Sequence, residues 1–110
     1  MSQFWHPSAN QVAKRILLEG KVQGVGCRAQ VMERVHDIGH MSGFVRNLSD
    51  GRVEICVKGD DTRIESLTEI LRKGLASPVE IARVLVTDLD SKELEEIGIN
   101  NGFTIRRNDH

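Results

Sequence analysis

Three glycines crowd the approach to one arginine in the stretch GKVQGVGCRAQV, Gly20 to Val31, and no acidic residue lies among them. Backbone N–H groups of such a loop, joined by the unpaired N–H groups of a helix's first turn, make a cradle for a small anion. Arg28 would add a charged, two-pronged donor suited to a pair of phosphoryl oxygens. These residue types therefore point to the holding of a small oxyanion. The alternative is a tight turn followed by a solvent-exposed arginine. A second stretch, GFVRNLSDGRVEI from Gly43 to Ile55, carries Asn47 beside a turn. An amide side chain can accept from water and donate to another group, but it cannot remove a proton at neutral pH. Its alternative role is that of a turn residue bonded to its own backbone.

Other chemistries fit less well. Gly24-Val25-Gly26-Cys27-Arg28-Ala29 matches the G-x-G-x-x-A dinucleotide fingerprint. The chain is too short for a doubly wound nucleotide-binding domain, however, and a hairpin follows where β-α units should continue. A nucleophilic Cys27 would need its arginine several residues on, whereas Arg28 is adjacent and the two side chains should diverge. A small buried apolar role suits Cys27 better, and Cys56 alternates with Val57 on a strand and reads as structural. His36 and His40 have a metal-like spacing, yet Gly39 should end the helix between them, and no third ligand joins by pattern. No metal is expected.

The 110 residues suffice for one domain with one core. A composition of 39% apolar and 28% charged residues with a net charge of −1 gives no general attraction to nucleic acid or to an anionic membrane. No signal peptide or membrane span is evident. Two cysteines are too few for a disulfide scaffold, which suggests reduced thiols and a cytoplasmic protein. Residues 1–13, with Pro7 and a Phe4-Trp5 pair, read as a leader, and residues 14–107 as the domain.

The elements that must position Arg28 and Asn47 follow from periodicity. Lys14 to Glu19 reads as a strand, and Arg28 to Ile38 as a helix with Val31, Met32, Val35 and Ile38 inward and Gly39 as its cap. Gly43–Arg46 and Arg52–Lys58 flank a turn at NLSDG, with Val53, Ile55 and Val57 burying one face. A second helix covers Asp61–Lys73, facing in with Ile64, Leu67, Ile70 and Leu71. Val79–Val86 is a strand with a bulge near Ala82 and Arg83. Asp90 and Glu93 form a capping box for an extra helical turn, and Gly102–Arg106 is a closing edge strand. The order β-α-β-β-α-β plus a short strand is that of an α+β, ferredoxin-like split β-α-β sandwich. Its expected form is a four- to five-stranded antiparallel sheet with two helices on one face. In that topology the first two strands run parallel, about 10 Å apart, with the third between them. Their carboxyl ends then share one edge of the sheet with the first helix's N-terminus.

EGKVQGVGCRAQV followed by GFVRNLSDGRVEI strongly resembles the acylphosphatase family, which carries G-[RK]-V-Q-G-V-x-F-R and then G-[WFY]-V-x-N-x-x-D-G-x-V. The similarity runs from about Lys14 to Val86, and GFTI near the end is similar to the family's last strand. The resemblance implies hydrolysis of acyl phosphates to carboxylate and inorganic phosphate, with no cofactor and no metal. It implies that Arg28 is the catalytic, phosphate-binding arginine and that Asn47 orients the attacking water. Gln23, Gly24, Val25, Gly26, Cys27 and Arg28 would form the phosphate-binding loop. An acyl phosphate has a good leaving group, so positioning and charge stabilisation suffice without a strong protein base.

Cys27 stands where the family usually has phenylalanine, and Ala29 where a bulky residue is common. The loss of an aromatic beneath the loop would loosen it unless Phe4, Trp5 or another neighbour fills the gap. The competing function is a ferredoxin-like module that still binds an anion but has impaired turnover. An RNA-binding relative would need stacking aromatics on its central strand, which RVEICVK lacks, and a metallochaperone would need a Cys-x-x-Cys pair in its first loop. The expected partner is a small acyl phosphate, with inorganic phosphate or a similar anion occupying the loop. Nucleic acid and membrane are not expected partners, and the chain is expected to be a monomer.

Overall fold

The computed structural model describes residues 11–99 and 101–107. The chain runs β1 (Gln11–Lys21), α1 (Cys27–Ile38), β2 (Met41–Asn47), β3 (Val53–Asp60), α2 (Asp61–Lys73), β4 (Glu80–Asp88), α3 (Ser91–Ile97) and β5 (Phe103–Ile105). Most of the expected leader, including Phe4, Trp5 and Pro7, lies outside the described residues, and Gln11 already belongs to β1.

Five strands form one sheet in the order β4-β1-β3-β2-β5. β3 lies antiparallel between β1 and β2, so those two run parallel as the split β-α-β order requires. The all-antiparallel expectation fails at one edge, where β5 pairs with β2 in parallel, Gly43 opposite Phe103 and Val45 opposite Ile105. The cause is the connection that delivers it. β4 finishes at the far edge of the sheet, and the chain crosses beneath the sheet through α3 to reach β2 from its amino-terminal end.

Two helices share one face as expected, and that crossing puts the extra helical turn on the other. On the first face α1 and α2 bury Val31, Val35, Ile64, Leu67 and Leu71 against Ile16, Leu18, Val45, Val53, Ile55 and Val57. On the second face Leu94, Ile97 and Ile99 of α3 and its end pack on Ala13, Phe44, Cys56 and Leu89. β3 was expected to bury one side only; it is covered on both, and every residue from Val53 to Val57 is buried. A strand flanked by two others and roofed on both faces has no solvent side to alternate toward.

The covered second face holds a buried carboxylate. Glu54 accepts from Arg15 Nε at 2.8 Å and from Arg46 Nε at 2.7 Å. The guanidinium groups of Arg46 and Arg106 lie 5.5 and 3.8 Å from the Phe44 ring centroid, a favourable arrangement against the ring's negative face. Local signals held where they were strong. α2 spans Asp61–Lys73, capped by Asp60, which accepts from the Thr62 N–H at 2.9 Å. The Asp90–Glu93 capping box forms on α3. The bulge sits at Ala82, where the β1–β4 register steps from Glu19–Arg83 to Gly20–Ile81.

Gly43 has φ 144°, and a Cβ there would lie 1.9 Å from the Cys56 carbonyl oxygen. Gly43→Ala must therefore part β2 from β3, and we expect it to cost more than about 3 kcal/mol in urea denaturation. Glu54→Ala should cost less, about 1–3 kcal/mol. Arg15 and Arg46 are each roughly a third exposed and stay partly hydrated once the carboxylate is gone. An unchanged midpoint in either variant would contradict this account.

Candidate active site

Parallel β1 and β2 deliver their carboxyl ends to the same edge of the sheet. Beyond β1, Val22 is buried at 2% exposure and anchors the chain to the core before the loop begins. Gly24 (φ 73°) and Gly26 (φ 79°) both take the left-handed conformation that glycine adopts without strain. A Cβ at either would meet nothing within 4 Å, so backbone geometry, not crowding, calls for glycine, and the space above the loop is open. Gly26 is also the N-cap of α1. No side chain caps this helix, and its first turn carries no acidic residue. An uncapped first turn presents N–H groups and the positive end of the helix dipole together.

Asn47 is the last residue of β2 and shares its sheet face with Gly43 and Val45, the face that packs on α1. It is buried, at 8% exposure. The alternative of a self-bonded turn residue does not hold, because the hairpin closes without it. Leu48 N–H donates to the Arg52 carbonyl at 2.8 Å, Gly51 N–H to the Leu48 carbonyl at 3.2 Å, and Arg52 N–H to Asp50 Oδ1 at 3.0 Å. The Arg52 side chain beside Asp50 also holds that carboxyl below its usual range.

A cavity of about 190 Å³ opens at this edge, bordered by Val22, Gly24, Gly26, Cys27, Arg28, Ala29, Asn47 and Ile105. Arg28 and Asn47, separate in sequence, thus face one space. Arg28 is half-buried on this wall, not a freely solvated surface arginine, and its Nη1 donates to the Arg106 carbonyl at 3.5 Å. Of the six expected loop residues, Gly24, Gly26, Cys27 and Arg28 border the cavity, while Gln23 and Val25 do not. Gln23 does something the sequence did not suggest. Its Nε2 donates to the Leu48 carbonyl at 2.7 Å and the Arg52 carbonyl at 2.9 Å, tying the glycine loop to the hairpin that carries Asn47. Val25 packs against the main core.

Sequence reasoning missed Val22, Ala29 and Ile105 as lining residues. Ala29 had a signal, since it follows Arg28 in the first turn of a helix pointing at the site; Ile105 had none within its own segment. Cys27 is buried at 2% exposure within the main core. Burial pushes its thiol up to about 11, outweighing the opposing pull of the Arg28 charge, and burial with the Glu54 charge does the same for Cys56. Gly39 ends α1 before His40, so the two histidines do not share a helix face. Among the described residues no group of three or more His, Cys, Asp or Glu is placed to hold a metal ion.

Comparison with known proteins gives the family. A family model described as acylphosphatase matches residues 14–105. An acylphosphatase of Haloarcula marismortui is 37% identical over 91 residues, covering 83% of this chain and 91% of that protein. Among solved structures, an acylphosphatase from Coxiella burnetii superposes with a TM-score of 0.75 at 27% identity, over 96% of this chain and 100% of the other. That of Bacillus subtilis gives 0.70 at 30% identity, over 86% and 98%. With the family model spanning nearly every strand and helix and the relatives matched over most of both chains, this chain belongs to the acylphosphatase family.

Proposed function

We propose that the protein hydrolyses the carboxyl–phosphate anhydride of acyl phosphates, with Arg28 and the glycine loop holding the phosphoryl group and Asn47 aiming the attacking water. The observation that carries this reading is that Arg28, Asn47, two positive-φ glycines and the uncapped first turn of α1 all border one cavity. Phosphoryl oxygens accept from the loop and first-turn N–H groups and from the Arg28 guanidinium. These donors stand ready before the reaction, so stabilising the charge that builds on the transferring group costs no reorganisation. The helix dipole adds about 0.3–1 kcal/mol.

Water attacks phosphorus, the new O–P bond forms, and the bond from phosphorus to the acyl oxygen breaks to release a carboxylate. Asn47 holds the water by its amide and cannot take the proton, which passes to an oxygen of the substrate. A carboxylate, with its low basicity, leaves without an acid to protonate it. The scheme uses no metal ion and no cofactor. The product phosphate is the natural competitor for the cradle. One chain supplies every group at the cavity, which favours action as a monomer. Two free, buried thiols favour a reducing compartment such as the cytoplasm, and no helix among the described residues is long and apolar enough to cross a membrane.

Arg28→Lys keeps the charge and loses the two-pronged fork, and Asn47→Ala loses the water's anchor. Each should lower kcat by about 100-fold or more with folding intact, as read by acetyl phosphate hydrolysis beside circular dichroism. A wild type that binds phosphate without turnover would instead favour the impaired anion-binding module. The thiols supply a second check. With folded values near 11 against 9.0, Cys27 and Cys56 hold about 100-fold less thiolate than when unfolded. Thiol labelling of the native protein at pH 8 should be slower by at least about that factor, since both thiols are also buried, and should leave hydrolysis unaffected on the assay's timescale. Because the folded values are raised, the stability these neutral thiols contribute is complete below pH 9 and falls as pH rises toward 11.

A further inference from the structure

The cavity has its donors in the loop, Arg28 and Asn47, and part of its apolar lining comes from an unexpected place. Among the described residues Ile105 is the one large apolar side chain that is exposed, at 43%, and it borders the cavity. A single exposed isoleucine means little by itself, but its position is set by the parallel pairing of β5. Because β5 runs with β1 and β2, its carboxyl end reaches the same edge of the sheet. Ile105 pairs with Val45, one alternation step before Asn47 and on the same face, which puts the two Cα atoms about 8 Å apart. Ala29, exposed and small, borders the same cavity.

Ile105 is also held firmly. Arg106, the next residue, donates its N–H to the Val45 carbonyl at 2.9 Å. Its guanidinium donates to the Ile97 and Gly98 carbonyls at 3.1 and 2.9 Å, closing the end of α3 while stacked on Phe44. Its own carbonyl accepts from Arg28. The result is an apolar side chain fixed at the border of a cavity that also holds Arg28 and Asn47.

Resting on the reading that acyl phosphates are hydrolysed here, we propose that Ile105 and Ala29 form the subsite for the acyl group, so that the enzyme selects acyl phosphates with a bulky apolar acyl chain or ring over acetyl phosphate. With the phosphoryl group in the cradle, the acyl substituent leaves toward the open side, where Ile105 supplies apolar area and the small Ala29 leaves room. Ile105 touches the part of the substrate that does not react, so it is a specificity residue and its contribution lies mainly in KM.

The test is the ratio of kcat/KM for benzoyl phosphate to that for acetyl phosphate in the wild type, Ile105→Ser and Ile105→Val. Comparing ratios between variants cancels the intrinsic reactivity of the two substrates. We expect Ile105→Ser to lower the ratio by about 10-fold, chiefly through KM for benzoyl phosphate, and Ile105→Val to keep most of it. Ala29→Tyr should lower the ratio too, by filling the space. A ratio unchanged in Ile105→Ser, or both substrates falling together, would overturn the subsite. Hydrolysis of neither substrate by the folded wild type would overturn the proposed reaction itself, and the subsite with it.

Discussion

The placement of β3 between β1 and β2 is the constraint on which the site depends. Antiparallel pairing to both neighbours forces β1 and β2 to run parallel, and their carboxyl ends must then share an edge. α1, the link between them, begins at that same edge. One hydrogen-bonded register thus gathers a glycine loop, a helix N-terminus and the end of β2 within the span of a few strands. Gly43 lets the central pair approach closely enough to keep that register. Gln23 then fastens the loop directly to the hairpin beyond Asn47.

Both faces of the sheet are used, for different ends. The α1–α2 face is an apolar core that ends, at its upper edge, in Val22, Cys27 and the cavity. The α3 face combines a small apolar cluster with Glu54 and its two arginines, and Arg106 joins this network to β5. Through the Arg106 carbonyl the second face reaches Arg28. A side chain that carries charge at the site is therefore braced from a strand that the minimal split β-α-β pattern does not need.

The chemistry proposed for this arrangement is economical because the substrate does the difficult part. A carboxylate is a stable leaving group, so the protein supplies fixed donors and a placed water and no strong base. Cys27, adjacent to Arg28 and potentially reactive at a helix N-terminus, is kept neutral by burial and serves as core. It also borders the cavity, together with Ala29 and Ile105.

What the sequence by itself determined were the features written in short stretches. The extent of α2, the Asp90–Glu93 capping box, the hairpin at NLSDG and the bulge at Ala82 each depend on neighbours a few residues apart, and each is present. That Arg28 and Asn47 would meet at one edge of the sheet was legible for the same reason, since each lies in a compact motif and the split topology brings the two motifs together. Only the tertiary structure decided the direction of β5, the covering of the second face by α3, the buried roles of both faces of β3, the tie made by Gln23 and the place of Ile105 at the cavity. A short edge strand has the same alternation whichever way it runs, and an amphipathic turn such as α3 does not state which face of a sheet it will cover. Those choices are made by contacts between residues far apart in the chain, such as Arg28 with Arg106, where no local pattern records the partner.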